Sequence, residues 1–259
     1  MQINQLPDKT EFCELAKKFN VVPVCVEILA DTETPVSILR KFYDTPKPAF
    51  LLESAAGGER WGRFSFLGIS AKCHLRVYAE TVEIQTADQI ESLPHKGDPL
   101  KILKGFMDRY SPAQISELPR FWGGIVGYLS YEMVSFFEAI PHQYDPTKPL
   151  AHFILPDALI IFDNIRHTLY CVVTGFISDG MASSDIYDRA HDRIKEILQI
   201  IASPAPIIPR RSPAHKPVLK VSPQASSYQA LVKKTKEHIY QGDIIQAVIS
   251  QPFVYESSP

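Results

Sequence analysis

Apolar positions along this chain change period several times. Residues 11–19 place Phe12, Leu15, Ala16 and Phe19 on one helical face. "VVPVCVEIL" is an unbroken β-rich run and predicts a strand. "TPVSILRKF" predicts a helix, with Thr34 as N-cap and Pro35 at the first helical position, where a missing N–H costs nothing. "DPLKILKGFMDRY" repeats that start with Asp98 and Pro99, and Leu100, Leu103, Phe106, Met107 and Tyr110 form its apolar face. Strands are predicted at 48–53, 63–69, 73–79 and 81–86, with a longer one in "GGIVGYLSY". "ALIIFDNIRHTLYCVVTGF" reads as a hairpin around Asp163-Asn164. A helix over 184–202 carries Tyr187, Ala190, Ile194, Ile197, Leu198 and Ile201 on one side.

The pattern then breaks. "SPAPIIPRRSPAHKPVLKVSPQAS" holds six prolines in 24 residues, which predicts an extended connector because proline supplies no backbone donor. "SSYQALVKKTKEHIYQGD" follows as a helix, with Tyr228, Leu231, Val232, Thr235 and Ile239 along a face and Gly242 as its stop. "IIQAVISQPFVYE" predicts a strand. One helix and one strand cannot bury a core. These elements either open a second domain or complete the first domain's sheet. Helices and strands without regular βαβ alternation argue an α+β fold.

Composition narrows the class. With 45% hydrophobic and 22% charged residues, the chain has the make-up of a soluble globular protein. A net charge of −2 offers nothing to attract nucleic acid or an anionic membrane. No apolar stretch approaches bilayer length, and the N-terminus has no secretory pattern. Cys13, Cys25, Cys73 and Cys171 are far apart, with no Cys-x-x-Cys and no zincin-spaced histidines, so no metal site is expected. Free thiols in apolar strands suit a cytoplasmic protein.

Two stretches carry candidate chemistry. In "FLLESAAGGERWGRFSFLGI", Glu53 and Ser54 end one apolar run, and Arg63, Ser65 and Phe66 lie in the next. A carboxylate among apolar residues needs a cation. Arg60 or Arg63 would make a structural pair; a ligand's ammonium group would make a binding site. Spacing alone favours the structural pair. In "GDIIQAVISQ", Gln246 lies on an apolar strand and needs partners for its amide, as a core hydrogen bond or as site chemistry. Gly123, Gly124 and Gly127 fit neither phosphate-loop pattern and read as close packing of strand on sheet.

Taken together, "FLLES", "RFSFLG", "GGIVGYLSYE", "ALIIFDNIRHTLYCVV" and "YQALVKKTKEHIYQGDIIQAVISQPF" resemble the component I (large-subunit) family of anthranilate synthases, among the chorismate-utilising enzymes. The motifs come in the family's order and cover most of residues 48–253. The resemblance implies an N-terminal domain over 1–203 of largely antiparallel β-sandwich type with flanking helices, which binds tryptophan as feedback inhibitor. It implies a linker over 204–224, and over 225–259 the start of a chorismate-binding catalytic domain truncated here. Glu53 and Ser54 would meet tryptophan's amino-acid end, with Arg63, Ser65 and Phe66 completing the wall. Gln246 would be catalytic. Relatives that add water to chorismate carry lysine at this place; a neutral amide suits ammonia as nucleophile. The family's Mg2+ would be held by residues of the missing part, so none is expected in this chain. A glutamine amidotransferase subunit (component II) would supply ammonia, and chorismate would be the intact enzyme's substrate. The large subunit of aminodeoxychorismate synthase and a stand-alone amino-acid-binding module remain alternatives.

Overall fold

A computed structural model describes residues 2–42, 50–53, 62–140, 145–178, 180–206, 218–221, 225–251 and 253–256. The chain divides into two compact units, Met1–Pro206 and Ile207–Pro259.

In the first unit the elements are β1 (Gln2–Leu6), α1 (Lys9–Leu15), β2 (Val21–Leu29), α2 (Pro35–Phe42), β3 (Phe50–Leu52), β4 (Phe64–Val77), β5 (Thr81–Gln85), β6 (Ile90–Pro94), α3 (Pro99–Met107), β7 (Val126–Leu129), a 3-10 helix (Tyr131–Phe136), β8 (Ala151–Asp163), β9 (Thr168–Phe176) and α4 (Ser183–Ala202). Among the described residues, the strands join antiparallel into one nine-stranded sheet, ordered β1-β2-β9-β8-β4-β5-β6, with β3 on β4 and β7 on β8. This is the expected α+β, mainly antiparallel architecture.

Strand alternation sets the two faces of the sheet's first half. Val22, Val24 and Val26 of β2 point to the face covered by α1, α2 and α4, where Phe12, Ile38, Ile194 and Ile197 are buried. Fully burying each such isoleucine contributes about 1.5–3 kcal/mol, enough to dock a helix with weak propensity of its own. Cys25 of β2 points to the other face, with Leu159, Ile161 and Tyr170, under Leu118 and Trp122. A separate cluster of Leu75, Val77, Val82 and Ile84 packs on Leu103 and Phe106 of α3.

Both helix starts read from Pro pairs are present. Thr34 Oγ1 accepts from the Ser37 N–H at 3.1 Å, and Asp98 Oδ1 from the Lys101 N–H at 3.0 Å. The strands predicted at 63–69 and 73–79 are one strand, β4, with register shifts between Gly68 and Cys73. Ile69 and Lys72 are left without cross-strand partners there, and polar Ser70 and Lys72 interrupt the apolar run, so one bent strand reads as two. The long strand read in "GGIVGYLSY" is only β7, and the chain turns into the 3-10 helix at Tyr131. Gly127 is there for the expected reason: a Cβ would lie 2.0 Å from the His152 carbonyl oxygen. Gly124 is needed instead for its φ of +128°, and Gly123 has open space.

The second unit has β10 (Val218–Val221), α5 (Ala225–Gln241) and β11 (Phe253–Glu256), with β10 and β11 paired antiparallel. Gly242, at φ +81°, stops α5 as expected. Among the described residues no helix is long and apolar enough to cross a membrane.

Candidate functional site

The β3–β4 pair sets the geometry of the opening carboxylate. Phe50 pairs with Gly68, Leu51 with Leu67 and Leu52 with Phe66. Phe50 needs that glycine: a Cβ at Gly68 would lie 2.1 Å from its ring. Glu53 follows β3 directly and is exposed. Carried on by one residue, the register sets Glu53 opposite Ser65, on the face that Leu67 shares with the helices. Phe66 points to the other face and meets Phe121 edge-on at 5.1 Å. The structure therefore puts Ser65 and Phe66 on opposite faces of the sheet, with Glu53 exposed just beyond β3. Ser54 and Arg60 lie outside the described residues.

Arg63 has a partner, and it is Asp163 at the end of β8. The guanidinium donates to Oδ2 through Nη2 at 2.7 Å and Nε at 3.1 Å, and stacks over the Phe64 ring at 4.7 Å. Oδ1 accepts the backbone N–H of Ile165 at 3.1 Å and of Arg166 at 3.2 Å. Burial pushes the Asp163 carboxyl up, but Arg63 and the two N–H donors outweigh it and hold it below the usual carboxylate value. Asn164 completes the brace: Nδ2 donates to the Gly62 carbonyl at 3.0 Å and to Ser65 Oγ at 3.1 Å. The mouth of the β3–β4 pair is thus fixed by the β8–β9 turn. The sequence shows Asp163 and Asn164 only as turn formers, because their partners lie about a hundred positions away. Ser65 is 3% exposed and accepts from Asn164, leaving its own hydroxyl proton to donate.

Gln246 is not on a strand. Residues 243–251 are irregular, Gln246 is exposed, and neighbouring Ile245 is 97% exposed. Apolar alternation there predicted a strand, but alternation makes one only where a partner strand takes up the backbone groups. Strand structure resumes at Phe253. Among the described residues no three His, Cys, Asp or Glu gather as a metal would require.

The antiparallel sheet with its flanking helices sets the fold class as α+β. The chorismate binding enzyme family matches residues 47–259, and the chain belongs to that family. It is 34% identical to anthranilate synthase component 1 of Aquifex aeolicus over 94% of this chain and 49% of that protein. It is 35% identical to the Pseudomonas putida protein of the same name, over 94% and 50%. The chain spans about half the length of the curated relatives it matches. Among solved structures, anthranilate synthase component I from Streptococcus pneumoniae matches 87% of this chain and 48% of its own at TM-score 0.54 and 23% identity, which shows a common fold.

Proposed function

We propose that this chain is the regulatory part of an anthranilate synthase component I, with the beginning of its chorismate-binding domain. The identity to proteins of that name, over 94% of the chain, carries the reading. Glu53 meets the ammonium group of tryptophan and Ser65 adds a hydroxyl on the same side. Ser54 belongs to the same site. Arg63 acts through its brace with Asp163, holding the strand that carries Ser65. The two halves of the sheet, joined by β4 and β8, are the layers of the expected β-sandwich. The intact enzyme converts chorismate and ammonia to anthranilate and pyruvate, with magnesium bound elsewhere and ammonia from an amidotransferase partner. This chain by itself is inactive.

Calorimetry of the chain against tryptophan, phenylalanine and tyrosine tests the site. Tryptophan is expected to bind best. Glu53→Gln removes a hydrogen bond to a charged group and should weaken it roughly 10- to 150-fold without lowering the melting temperature. No heat with tryptophan, or a Glu53→Gln variant that only melts earlier, would refute the site. Gln246 acts in the intact enzyme as a neutral group beside the nucleophile. Gln246→Lys, assayed there, should depress ammonia-dependent turnover and yield some water-addition product. Unchanged rate and product would remove Gln246 from the reaction.

A further inference from the structure

The face of the sheet opposite the helices holds a second polar feature. Glu27 of β2 is cross-strand partner to Asn4 of β1 and to Tyr170 of β9. Cross-strand partners share a face, so three strands present an amide, a carboxylate and a phenol side by side. Leu6 and Cys25, themselves paired, extend this floor. Above it is a cavity of about 250 Å³, closed by Arg166 from the β8–β9 turn and by Glu117. Burial pushes the Cys25 thiol up, so it stays neutral.

Glu27 is out of place in a purely structural floor. Its side chain is 10% exposed; the carboxylate shares a hydrogen bond with the Tyr170 hydroxyl, but Oε1 has no hydrogen-bond partner. The nearest cation, Nη1 of Arg166, is 3.8 Å from it and instead donates to the Tyr170 hydroxyl at 3.3 Å. Asp163, a few residues from Arg166, shows what a satisfied carboxylate looks like here, with an arginine at 2.7 Å and two backbone donors. A buried carboxylate oxygen left without a donor costs stability and is rarely kept without a use. Arg166 is half exposed and has guanidinium donors left beyond the one given to Tyr170.

The geometry points to a small-molecule site on this face: a pocket for a small zwitterion, with its ammonium group against Glu27 and its carboxylate against Arg166. The acid and the base lie within 4 Å of each other yet do not hydrogen-bond, so a ligand carrying both charges completes both. A simple amine would leave Arg166 unanswered, and a simple acid would sit against Glu27 and Glu117. This site shares no residue with the tryptophan reading.

The test uses the whole chain and five probes: glycine, L-alanine and L-serine as zwitterions, methylamine and acetate as their halves. Saturation-transfer NMR titrations should show saturable binding of at least one zwitterion, with each half at least about tenfold weaker. Glu27→Gln and Arg166→Gln should each weaken the zwitterion about tenfold or more, whereas Glu53→Gln should not. Arg166→Gln changes a half-exposed turn residue, so it reports even if Glu27→Gln fails to fold. No saturable zwitterion binding, binding untouched by Arg166→Gln, or methylamine as tight as alanine would overturn the proposal. Tryptophan titrated in parallel responds to Glu53→Gln alone, so the two sites fail separately.

Discussion

Asp163 shows how much one side chain can hold. Its side chain has no exposed surface, and it binds Arg63 of β4 and the turn N–H groups at once. Its carboxyl is held below the ordinary carboxylate value, so the folded state favours the ionised form. That contribution is complete above the unfolded value of about 3.9 and is lost as pH falls through the lower folded value. Asp163→Asn is expected to cost about 1–3 kcal/mol near neutral pH. It should also flatten the stability profile below about pH 4. Urea unfolding of both proteins at pH 7 and pH 3 checks this; equal losses between the two pH values would assign the acid sensitivity to other carboxylates. At this scale Glu53, Arg63 and Ser65 stand out in the sequence because polar groups interrupt apolar runs. The partners Asp163 and Asn164, and the buried Glu27, did not. Glu27 did leave a trace: it falls in phase with Cys25 in "VVPVCVEIL", a charge on a buried strand position.

Among the elements, those with strong local chemistry were readable. α2 and α3 have Thr-Pro and Asp-Pro starts, and α4 has a long apolar stripe whose Ile194 and Ile197 are buried as expected. β1 and β6 were not read, because "QINQL" and "IESLP" are edge strands with little apolar alternation. Edge strands need few buried side chains, and polar residues there hinder unwanted pairing. β7 is short and depends on backbone approach. A Cβ at Gly127 would meet backbone atoms of His152 and Phe153, not a side chain able to swing away. Gly127→Ala should therefore detach β7 from β8 and cost about 1–3 kcal/mol or more. Amide exchange of Val126–Leu129 would rise while that of β9 stays slow; unchanged protection of both would show that the strands part easily to admit a methyl group.

The whole molecule joins chain segments that are far apart. The division into two units falls between Pro206 and Ile207, inside the proline-rich stretch, where backbone donors are scarce. Sheet order was not legible, because apolar periodicity tells which residues face inward and not which strand lies beside which. One pairing has a consequence for biosynthesis. β2 is made early but pairs along its whole length with β9, from Val21 with Phe176 to Leu29 with Thr168. At about 5–20 residues per second, translation separates the two by roughly 8–30 s. Through that interval "VVPVCVEIL" is a nascent hydrophobic strand with only β1 beside it, the kind of segment that chaperones hold and that aggregates when they do not. Ribosome-bound chains stalled before residue 168 should remain protease-sensitive across β2, and chains long enough to expose Phe176 outside the ribosome should become protected. Early protection would mean that β2 finds a temporary partner, and that the slow step of folding lies in exchanging it for β9.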